Sequence, residues 1–509
     1  MNLNGYIRKI LSARVYDGAL ETPLDDMRLQ SRRLNNRILI KREDLQPVFA
    51  FKIRGAFNKL YSLTAAQRAR GVITASAGNH AQGVALAAAR LNVKATIVMP
   101  LTTPDIKVRS VRNLGAQVVL SGDTFDDARR YAVRIQAREK QTFIHPYDDV
   151  DVIAGQGTIA MEILRQHTGP IHAIFIPVGG GGLIAGMAAY IKYLRPDIKV
   201  IGVESVDSAC LYAALKAGRR VILRQVGIFA DGVAVAQIGK EPFRIARFCV
   251  DEVIRVSTDE ICAAIKDIFD DTRSVAEPAG ALSLAGLKKY ALRRKLSNET
   301  LIAIESGANI NFDRLRYVSE RAELGEKREA LLAITLPERP GSLRAFCQDL
   351  GKHNITEFNY RIVPNGEAHI FLGVQLKPNG NDREVLIRSL RKRDYAVTDL
   401  TDNEMAKTHV RHMVGGRAHL VRNEIIFRLE FPERPGALIE FMAKIGSDLN
   451  ISLFHYRNHG DAFGRVAMGL EVAHDQRERV RKLLLKLPYN CIEETSNPAY
   501  RLFLKENQL

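Results

Sequence analysis

Short apolar runs rich in β-branched residues alternate with amphipathic stretches from about residue 20 to residue 310. The clearest runs are residues 72–75, 95–99, 173–178, 200–203 and 301–304, and residues 81–90 form one of the amphipathic stretches between them. This alternation predicts an α/β domain whose parallel sheet is covered by helices. Ligands of such domains bind at the carboxyl ends of the strands, so the residues after each run are the first candidates for a site.

One lysine, Lys52, lies between the large apolar residues Phe51 and Ile53. An ammonium group is costly to bury, so burial lowers the pKa of a lysine and leaves a neutral amine. A neutral amine is a nucleophile that forms Schiff bases with aldehydes. The alternative interpretation is a lysine whose charged end extends from an amphipathic segment into solvent.

The run 72–75 is followed by a turn of small and polar residues. Its sequence is Ser76, Ala77, Gly78, Asn79 and His80. Backbone N–H groups at the start of the next helix point out of such a turn, which suits a carboxylate. Asn79 can also donate to an oxygen of a bound ring. The alternative is a helix N-cap supplied by Ser76 or Asn79.

Four consecutive glycines follow the run 173–178. The loop reads Gly179, Gly180, Gly181, Gly182 and Leu183. Glycine costs conformational entropy, so four in a row favour a close backbone approach to a ligand, and a helix beginning at Leu183 would complete a phosphate site. The glycines lack the GxGxxG spacing of a dinucleotide site, although Glu204 keeps NAD as a competing ligand, and no Gly-Lys-Ser/Thr follows as in a P-loop.

A third turn, Glu305-Ser-Gly-Ala-Asn309, follows the run 301–304 and offers Ser306 as a donor. Two further clusters of small residues, 229–235 and 275–281, are candidates for the lining of a cavity. Each cluster alone is typical of an ordinary turn.

Taken together, these segments resemble the serine/threonine dehydratases that depend on pyridoxal 5'-phosphate (PLP). The resemblance rests on Lys52 in a Phe-Lys-x-Arg-Gly setting, Ser-Ala-Gly-Asn-His, the tetraglycine loop and Ser-Gly-Ala-Asn, in that order. It covers about residues 20–320 and implies the tryptophan-synthase β-like fold, also called fold type II. With the C-terminal repeats described below, the chain is most similar to the allosteric biosynthetic threonine dehydratases, or threonine deaminases.

The resemblance assigns a role to each segment. It implies that Lys52 holds PLP as a Schiff base and later removes the Cα proton of the substrate. Asn79 is expected to bond the ring hydroxyl, and Ser306 is expected to face the pyridine nitrogen. The loop Ser76, Ala77, Gly78, Asn79 and His80 is expected to receive the substrate carboxylate, and Gly179, Gly180, Gly181, Gly182 and Leu183 are expected to hold the phosphate.

Three positions refine the expected chemistry. A serine hydroxyl at Ser306 stabilises a pyridinium poorly, which favours prompt β-elimination over transamination. Ala50 replaces a serine that many relatives carry, so no proton relay can use that hydroxyl, and the cofactor phosphate is the implied acid for the departing hydroxide. Glu204 has Cys210 rather than an aspartate as its partner, so no metal site is predicted.

The C-terminal third contains an internal repeat. Residues 336–343 recur as 431–438, and residues 354–361 recur as 450–457. Each copy predicts a strand, a Pro-Gly turn, a helix and a second strand. The two copies resemble paired ACT-like (ferredoxin-like) regulatory domains that bind free amino acids, and Tyr360 and Tyr456 are the predicted aromatic residues near the effector. The alternative is a duplication that supports only oligomerisation.

A chain of 509 residues is too long for one core. The predicted division is a PLP-dependent catalytic domain at 1–320, a linker at 321–329, a first ACT-like repeat at 330–403, a connector at 404–423 and a second repeat at 424–509. Residues 313–327 are interpreted as a highly charged link.

Composition excludes several classes of protein. The five cysteines are odd in number and form no CxxC pair, so neither a disulfide framework nor a zinc site is indicated. No apolar run is long enough for a signal peptide or a membrane span, which predicts a cytoplasmic protein without a membrane partner. The net charge of +17 is spread along the chain among acidic residues, so no nucleic-acid partner is expected.

The resulting prediction is an α/β fold type II enzyme with an α+β regulatory region. It would convert L-threonine to 2-oxobutanoate and ammonia, and L-serine to pyruvate, at the first committed step of isoleucine biosynthesis. Isoleucine is expected to inhibit, valine to oppose that inhibition, and the protein to be a homotetramer. The competing hypotheses are a non-catalytic amino-acid sensor, which would need no Schiff-base lysine, and a β-replacement synthase or racemase of the same fold.

Overall fold

The computed structural model describes residues 3–227, 229–337, 339, 341–362, 367–377, 381–413, 415, 421, 423–432, 437–445, 449–457, 463–486 and 490–505. The chain forms two compact units, Met1–Gly325 and Glu326–Leu509. They are called the N-terminal unit and the C-terminal unit, and each is described by itself.

The N-terminal unit contains two mainly parallel sheets. Its strands are β1 Leu24–Asp26, β2 Arg37–Arg42, β3 Val72–Ala75, β4 Ala95–Met99, β5 Gln117–Leu120, β6 Thr142–Phe143, β7 Ala173–Pro177, β8 Lys199–Ser205, β9 Glu252–Val256 and β10 Thr300–Glu305. The larger sheet has the order β1-β2-β10-β7-β8-β9, in which only β1 is antiparallel to its neighbour, and the smaller has the order β5-β4-β3-β6. All five apolar runs form strands as predicted, but in two sheets rather than one.

Helices cover these sheets. They are α1 Asn4–Leu11, α2 Arg28–Leu34, α3 Lys52–Tyr61, α4 Ala65–Arg70, α5 Asn79–Arg90, α6 Asp105–Asn113, α7 Phe125–Glu139, α8 Val150–Gln166, α9 Gly182–Leu194, α10 Cys210–Ala217, α11 Lys240–Cys249, α12 Thr258–Thr272, α13 Pro278–Arg294 and α14 Arg314–Gly325. Two short 3₁₀ helices, Glu43–Leu45 and Asp231–Val233, lie between them. The strands of both sheets are almost wholly buried at β3, β4 and β7, as the apolar runs require.

A cluster of buried ion pairs fixes the start of α3. Arg54 of α3 contacts Glu43 at 2.7 Å and Glu162 of α8 at 2.5 Å, and Lys41 of β2 contacts Glu162 at 2.6 Å. All four side chains are fully buried. We call Lys41, Glu43, Arg54 and Glu162 the ion-pair cluster. It ties α3, and with it Lys52, to the larger sheet.

Most of the charged link at residues 313–327 is helical. Arg314–Gly325 forms α14, whose Val318, Ala322 and Leu324 are buried. Arg321 donates to Asp259 at the start of α12. An apolar stripe at helical spacing, hidden among many charges, accounts for this helix.

The C-terminal unit is built on one antiparallel sheet. Its strands are β11 Glu329–Pro337, β12 Ile355–Arg361, β13 Glu367–Gln375, β14 Ala396–Asp399, β15 Glu424–Pro432, β16 Asn450–Arg457, β17 Phe463–Glu471 and β18 Asn490–Glu493. Its helices are α15 Ser342–Leu350, α16 Asp382–Arg391, α17 Glu404–Thr408, α18 Ala437–Ile445, α19 Arg477–Leu485 and α20 Pro498–Phe503, with 3₁₀ turns at Val410–His412 and His474–Gln476.

The two repeats share this sheet. Each supplies four strands and two helices in the order β-α-β-β-α-β, and the sheet order is β14-β11-β13-β12-β16-β17-β15-β18. Strands β12 and β16, the equivalent strands of the two copies, pair antiparallel, with Phe358 opposite Tyr456 and Tyr360 opposite Phe454. The predicted strand–helix–strand pattern is thereby confirmed. The turn residues 433–436 of the second copy, and 338 and 340 of the first, lie outside the described residues.

Among the described residues, no helix is long and apolar enough to cross a membrane.

Candidate active site

Lys52 is the first residue of α3, and its side chain is half-buried. Its Nζ donates to the carbonyl oxygen of Pro146 at 3.1 Å. Loss of hydration in the protein interior lowers the pKa of Lys52 to about 8, and the negative charge of Glu277 opposes this shift. The neutral amine, which is the nucleophile, is therefore far more populated near neutral pH than in an ordinary lysine. Its contact with Pro146 points into the protein, not out to solvent.

The Glu305–Asn309 turn lies directly beside this lysine. The backbone N–H of Phe51 donates to the carbonyl oxygen of Ser306 at 3.2 Å, and Ala50 forms an isolated bridge with Gly307. The side chain of Ser306 is buried and donates to the Ala279 carbonyl oxygen at 3.3 Å. The strand-to-turn junction after β10 and the start of α3 therefore form one wall of a common site.

The turn before α5 forms a second wall. Gly83 of α5 packs against Lys52, and a Cβ added at Gly83 would lie 3.1 Å from the Lys52 backbone. The N-cap position of α5 is Gly78, and no side chain caps this helix. The Asn79 side chain instead bonds Glu277 and Asn309, so neither Ser76 nor Asn79 serves as the side-chain cap. The uncapped N-terminus suits a carboxylate.

His80 completes this turn as a neutral side chain. Its Nε2 lies 3.1 Å from the Ile144 carbonyl oxygen, and its buried Nδ1 has no hydrogen-bond partner among the described residues. Burial and, to a smaller extent, the nearby Lys52 charge lower the pKa of His80 to about 3. His80 therefore presents an acceptor nitrogen rather than a positive charge.

The tetraglycine loop meets Lys52 through one short segment. Tyr147 follows Pro146, the acceptor of the Lys52 amine, and its ring covers Gly180, where an added Cβ would lie 2.1 Å from Cδ1. Gly181 has φ +90° and is the N-cap of α9, which begins at Gly182. An added Cβ there would lie 2.5 Å from Ile238. Only glycines fit this loop, and the N-terminus of α9 favours an anion.

These features fit PLP and an amino-acid substrate. The reactive amine suits the aldehyde of PLP, and the glycine-only loop at the start of α9 suits its phosphate. The buried hydroxyl of Ser306 suits the ring nitrogen, and the uncapped N-terminus of α5 suits the carboxylate of the substrate. The residues present therefore fit the cofactor that the sequence predicted.

Sequence reasoning did not assign a role to Glu277. Its carboxylate is 4% exposed, accepts from the Asn79 Nδ2 at 2.5 Å, and has a pKa raised to about 7, mainly by burial. Glu277 is the N-cap residue of α13, yet its side chain makes no cap hydrogen bond. A glutamate at this position was the available signal, since Asp, Asn, Ser and Thr are the usual N-cap residues.

Comparison with known proteins identifies the family of this chain. The model of the family described as pyridoxal-phosphate dependent enzyme matches residues 15–307, and that of the C-terminal regulatory domain of threonine dehydratase matches residues 320–410 and 415–504. The biosynthetic L-threonine dehydratase IlvA of Burkholderia multivorans is 54% identical over 507 residues, covering 99% of this chain and 100% of the relative. This chain belongs to the biosynthetic threonine dehydratases.

Two further comparisons support the membership. The biosynthetic IlvA of Escherichia coli is 53% identical over 499 residues, covering 98% of this dehydratase and 97% of the relative. The solved structure of the processed form of threonine deaminase isoform 2 from Solanum lycopersicum is 49% identical, with a TM-score of 0.62 over 63% of this chain and 93% of that chain. The predicted family, fold class, enzyme class and PLP cofactor are thereby confirmed.

The Glu204 carboxylate of this dehydratase caps α10, because it accepts the backbone N–H groups of Leu211 at 2.7 Å and Tyr212 at 2.8 Å. Cys210 donates its thiol to the Gly179 carbonyl oxygen at 3.3 Å, and burial keeps the pKa of that thiol well above its usual range. In the described part of the chain, no group of three His, Cys, Asp or Glu side chains could hold a metal ion.

In the regulatory region of the dehydratase, the two predicted effector residues have different surroundings. Tyr360 lines a small cavity between the repeats, with Leu336, Arg339 and Ser342 from the first copy and Ile451 from the second. Tyr456 is absent from that lining, and its buried hydroxyl donates to the Ile355 carbonyl oxygen at 3.1 Å. The effector assignment of both tyrosines stays a prediction.

Proposed function

We propose that this chain catalyses the PLP-dependent dehydration and deamination of L-threonine to 2-oxobutanoate and ammonia, and of L-serine to pyruvate more slowly. This reaction is the first committed step of isoleucine biosynthesis. The observation that carries the proposal is Lys52, an amine with a pKa of about 8 at the junction of three strand-end loops. A protein that only sensed amino acids would need no such amine.

Each loop is proposed to hold one part of the reacting system. The backbone N–H groups of residues 179–183 would hold the phosphate at the start of α9. The uncapped turn of Ser76, Ala77, Gly78, Asn79 and His80 would hold the substrate carboxylate, and Asn79 would donate to the ring hydroxyl. When bound, PLP supplies the electron sink for the Cα carbon.

Lys52 has two tasks in this scheme. Its neutral Nζ would hold the cofactor, and the same nitrogen would take the Cα proton of the substrate. The low pKa serves both tasks, because each requires an unprotonated nitrogen near neutral pH. Ser306 offers the pyridine nitrogen a hydroxyl rather than a carboxylate, which limits ring protonation and favours loss of the β-hydroxyl over transamination.

The test uses the absorption spectrum and the product together. Wild-type protein should be yellow as purified and should form 2-oxobutanoate from L-threonine. Lys52→Ala should lose the visible band and the activity, whereas Lys59→Ala, a change on the same helix outside the site, should keep both. A colourless wild type that cannot be reconstituted with PLP would contradict the proposal.

For regulation, we propose the cavity beside Tyr360 as an effector site. Leu336 and Ile451 offer apolar surface to a branched side chain, and α15 begins at Ser342 with no side-chain cap, which suits the effector carboxylate. Isoleucine would inhibit and valine would oppose it by preferring different global states of a homotetramer. A coupling of ~1–3 kcal/mol gives a ~5–150-fold change in affinity.

Threonine saturation curves test this regulatory proposal. The wild-type curve should be sigmoidal and should shift with isoleucine. Tyr360→Ala should blunt the shift, while Tyr456→Phe, which keeps the ring and removes the hydroxyl that donates to Ile355, should respond as wild type. A chain truncated after Lys327 should be insensitive to isoleucine. Hyperbolic curves indifferent to isoleucine in the full-length protein would show the repeats to be structural.

Three further predictions belong with this proposal. The division at 1–320, 321–329, 330–403, 404–423 and 424–509 is proposed as the functional domain organisation. The protein is proposed to be a homotetramer, which size-exclusion chromatography with light scattering tests. It is also proposed to be cytoplasmic, which cell fractionation tests.

A further inference from the structure

Asn79 is held by hydrogen bonds at both ends of its amide. Its Nδ2 donates to Glu277 Oε1 at 2.5 Å, and its Oδ1 accepts from Asn309 Nδ2 at 2.8 Å. The second hydrogen of Asn79 Nδ2 has no acceptor among the described residues. Glu277 and Asn309 thus leave one donor of this amide available for a ligand.

The contacts of Asn309 determine which end of the Asn79 amide is the nitrogen and which is the oxygen. Asn309 Nδ2 also donates to the backbone carbonyl oxygen of Val48 at 2.8 Å, and a carbonyl oxygen can only accept. The Asn309 amide nitrogen must therefore face both Val48 and Asn79. Consequently Asn79 turns its oxygen toward Asn309 and its nitrogen toward Glu277. If the Asn79 amide were reversed, its nitrogen would face the Asn309 nitrogen, a second donor, and its oxygen would face the Glu277 carboxylate, a second acceptor.

Glu277 is itself placed by neighbouring backbone. Its N–H donates to the Gly307 carbonyl oxygen at 3.1 Å, and a Cβ at Gly307 would lie 2.9 Å from Glu277 Oε1. The glycine of the Ser-Gly-Ala-Asn motif therefore makes room for this carboxylate. Gly232 approaches from the other side, where an added Cβ would lie 3.5 Å from the same oxygen.

We propose that Glu277, together with Asn309, is a positioning residue that fixes the Asn79 amide with one N–H directed at the ring hydroxyl of bound PLP. The proposal rests on the role of Asn79 given under the proposed function. Without Glu277, Asn309 holds only the oxygen end of the amide, so the Asn79 nitrogen loses its anchor and its N–H is no longer fixed toward the ring hydroxyl.

The protonation state of Glu277 adjusts the strength of this contact. Burial and the negative charge of Asp231 raise its pKa to about 7, while Lys107 and Arg314 act in the opposite direction. Lys52 is a further charged group that interacts with it. Both forms accept the Asn79 N–H, and the ionised form present above pH 7 accepts it more strongly.

The experiment compares two cofactors on the apoenzyme. PLP and an analogue without the 3-hydroxyl group are titrated into wild type, Glu277→Ala, Asn79→Ala and the double variant, with binding followed by absorbance. Glu277→Ala should weaken PLP binding about tenfold, and the double variant should be no weaker than Asn79→Ala. Binding of the analogue should change less than about twofold in all variants, because no ring hydroxyl is there to be contacted.

Two matched variants guard against a folding defect. Glu277→Gln keeps an acceptor oxygen and should bind PLP within about threefold of wild type. Asn309→Ala removes the other contact and should show the same hydroxyl-dependent loss. If Glu277→Ala weakened both cofactors equally, or added fully to Asn79→Ala, the positioning role would be overturned. If Asn79→Ala bound PLP as wild type does, the assignment of Asn79 itself would fail, and this inference with it.

Discussion

Two buried polar regions of the N-terminal unit share helix α3 but differ in how their charges are balanced. In the ion-pair cluster, Lys41 and Arg54 face carboxylates at 2.5–2.7 Å, and the four side chains are fully buried. Two residues before Arg54, the hydrogen bond that Lys52 donates within the described part of the chain goes to a backbone carbonyl oxygen, at 3.1 Å. Each cation of the cluster therefore contacts a carboxylate, whereas the lysine of the site contacts a neutral group.

The difference separates stability from chemistry. A matched cluster holds α3 in place, because a charge left alone in the interior is strongly unfavourable. Among the described residues, no carboxylate lies within hydrogen-bond distance of Lys52. An ion pair there would raise the pKa of this lysine and reduce the neutral, nucleophilic form. One helix therefore carries both an anchor, Arg54, and a reactive group, Lys52.

Exchange of each cation for methionine should separate these roles most clearly. Arg54→Met leaves Glu43 and Glu162 buried without their shared partner, and should lower the free energy of unfolding by about 3–5 kcal/mol. Lys52→Met removes a charge that burial disfavours, together with the hydrogen bond to Pro146, and should leave the apoenzyme about as stable as wild type. Urea unfolding of both apo-variants measures this. Equal losses of stability would mean that Lys52 also anchors the helix.

The tetraglycine loop offers the next comparison, between two glycines with positive φ. Gly181 has φ +90° and an added Cβ would clash with Ile238, while Gly218 at the end of α10 has φ +68° and no atom within 4 Å. Gly181→Ala should weaken PLP binding by about tenfold or more, equivalent to ~1.4 kcal/mol or more. Gly218→Ala should show only the backbone strain of ~1–2 kcal/mol, in thermal melts. Equal cofactor affinity in both variants would place the phosphate elsewhere.

Sequence patterns predicted the local parts of this architecture well. The apolar runs became strands, the turns after β3, β7 and β10 met around Lys52, and the duplicated segments became two β-α-β-β-α-β repeats. These features follow from periodicity and turn chemistry over a few residues. The individual roles of the site residues remain predictions that the experiments above address.

Features that depend on distant parts of the chain were not predicted. The division into two sheets depends on which strands pair, and periodicity carries no information on pairing. Glu277 meets Asn79 across 198 residues of sequence, so its role became visible only when the loops were assembled. The α14 helix escaped notice because its buried stripe of Val318, Ala322 and Leu324 is short beside its charges.

The rate of cofactor capture should report the pKa difference of the site lysine directly. Schiff-base formation requires the neutral amine, so the rate should follow the unprotonated fraction of Lys52. With a pKa of about 8, that fraction rises about tenfold from pH 7 to pH 9, against about a hundredfold for a lysine with the ordinary pKa of 10.5. Stopped-flow mixing of apoenzyme with PLP measures it. A hundredfold rise would place Lys52 in a water-like environment.

An exposed ion pair near the site should behave unlike the buried cluster. Asp231 contacts Lys107 of α6 at 2.7 Å and Arg314 of α14 at 3.4 Å, with side chains that are 20–35% exposed. Water and salt screen such pairs, so Asp231→Asn should change the free energy of unfolding by less than ~1 kcal/mol, and 0.5 M NaCl should erase the difference. Glu162→Gln in the ion-pair cluster should lower the free energy of unfolding by more than Asp231→Asn does, and 0.5 M NaCl should not remove that loss. If both variants lost similar stability at low and high salt, burial would not be what separates the two kinds of ion pair.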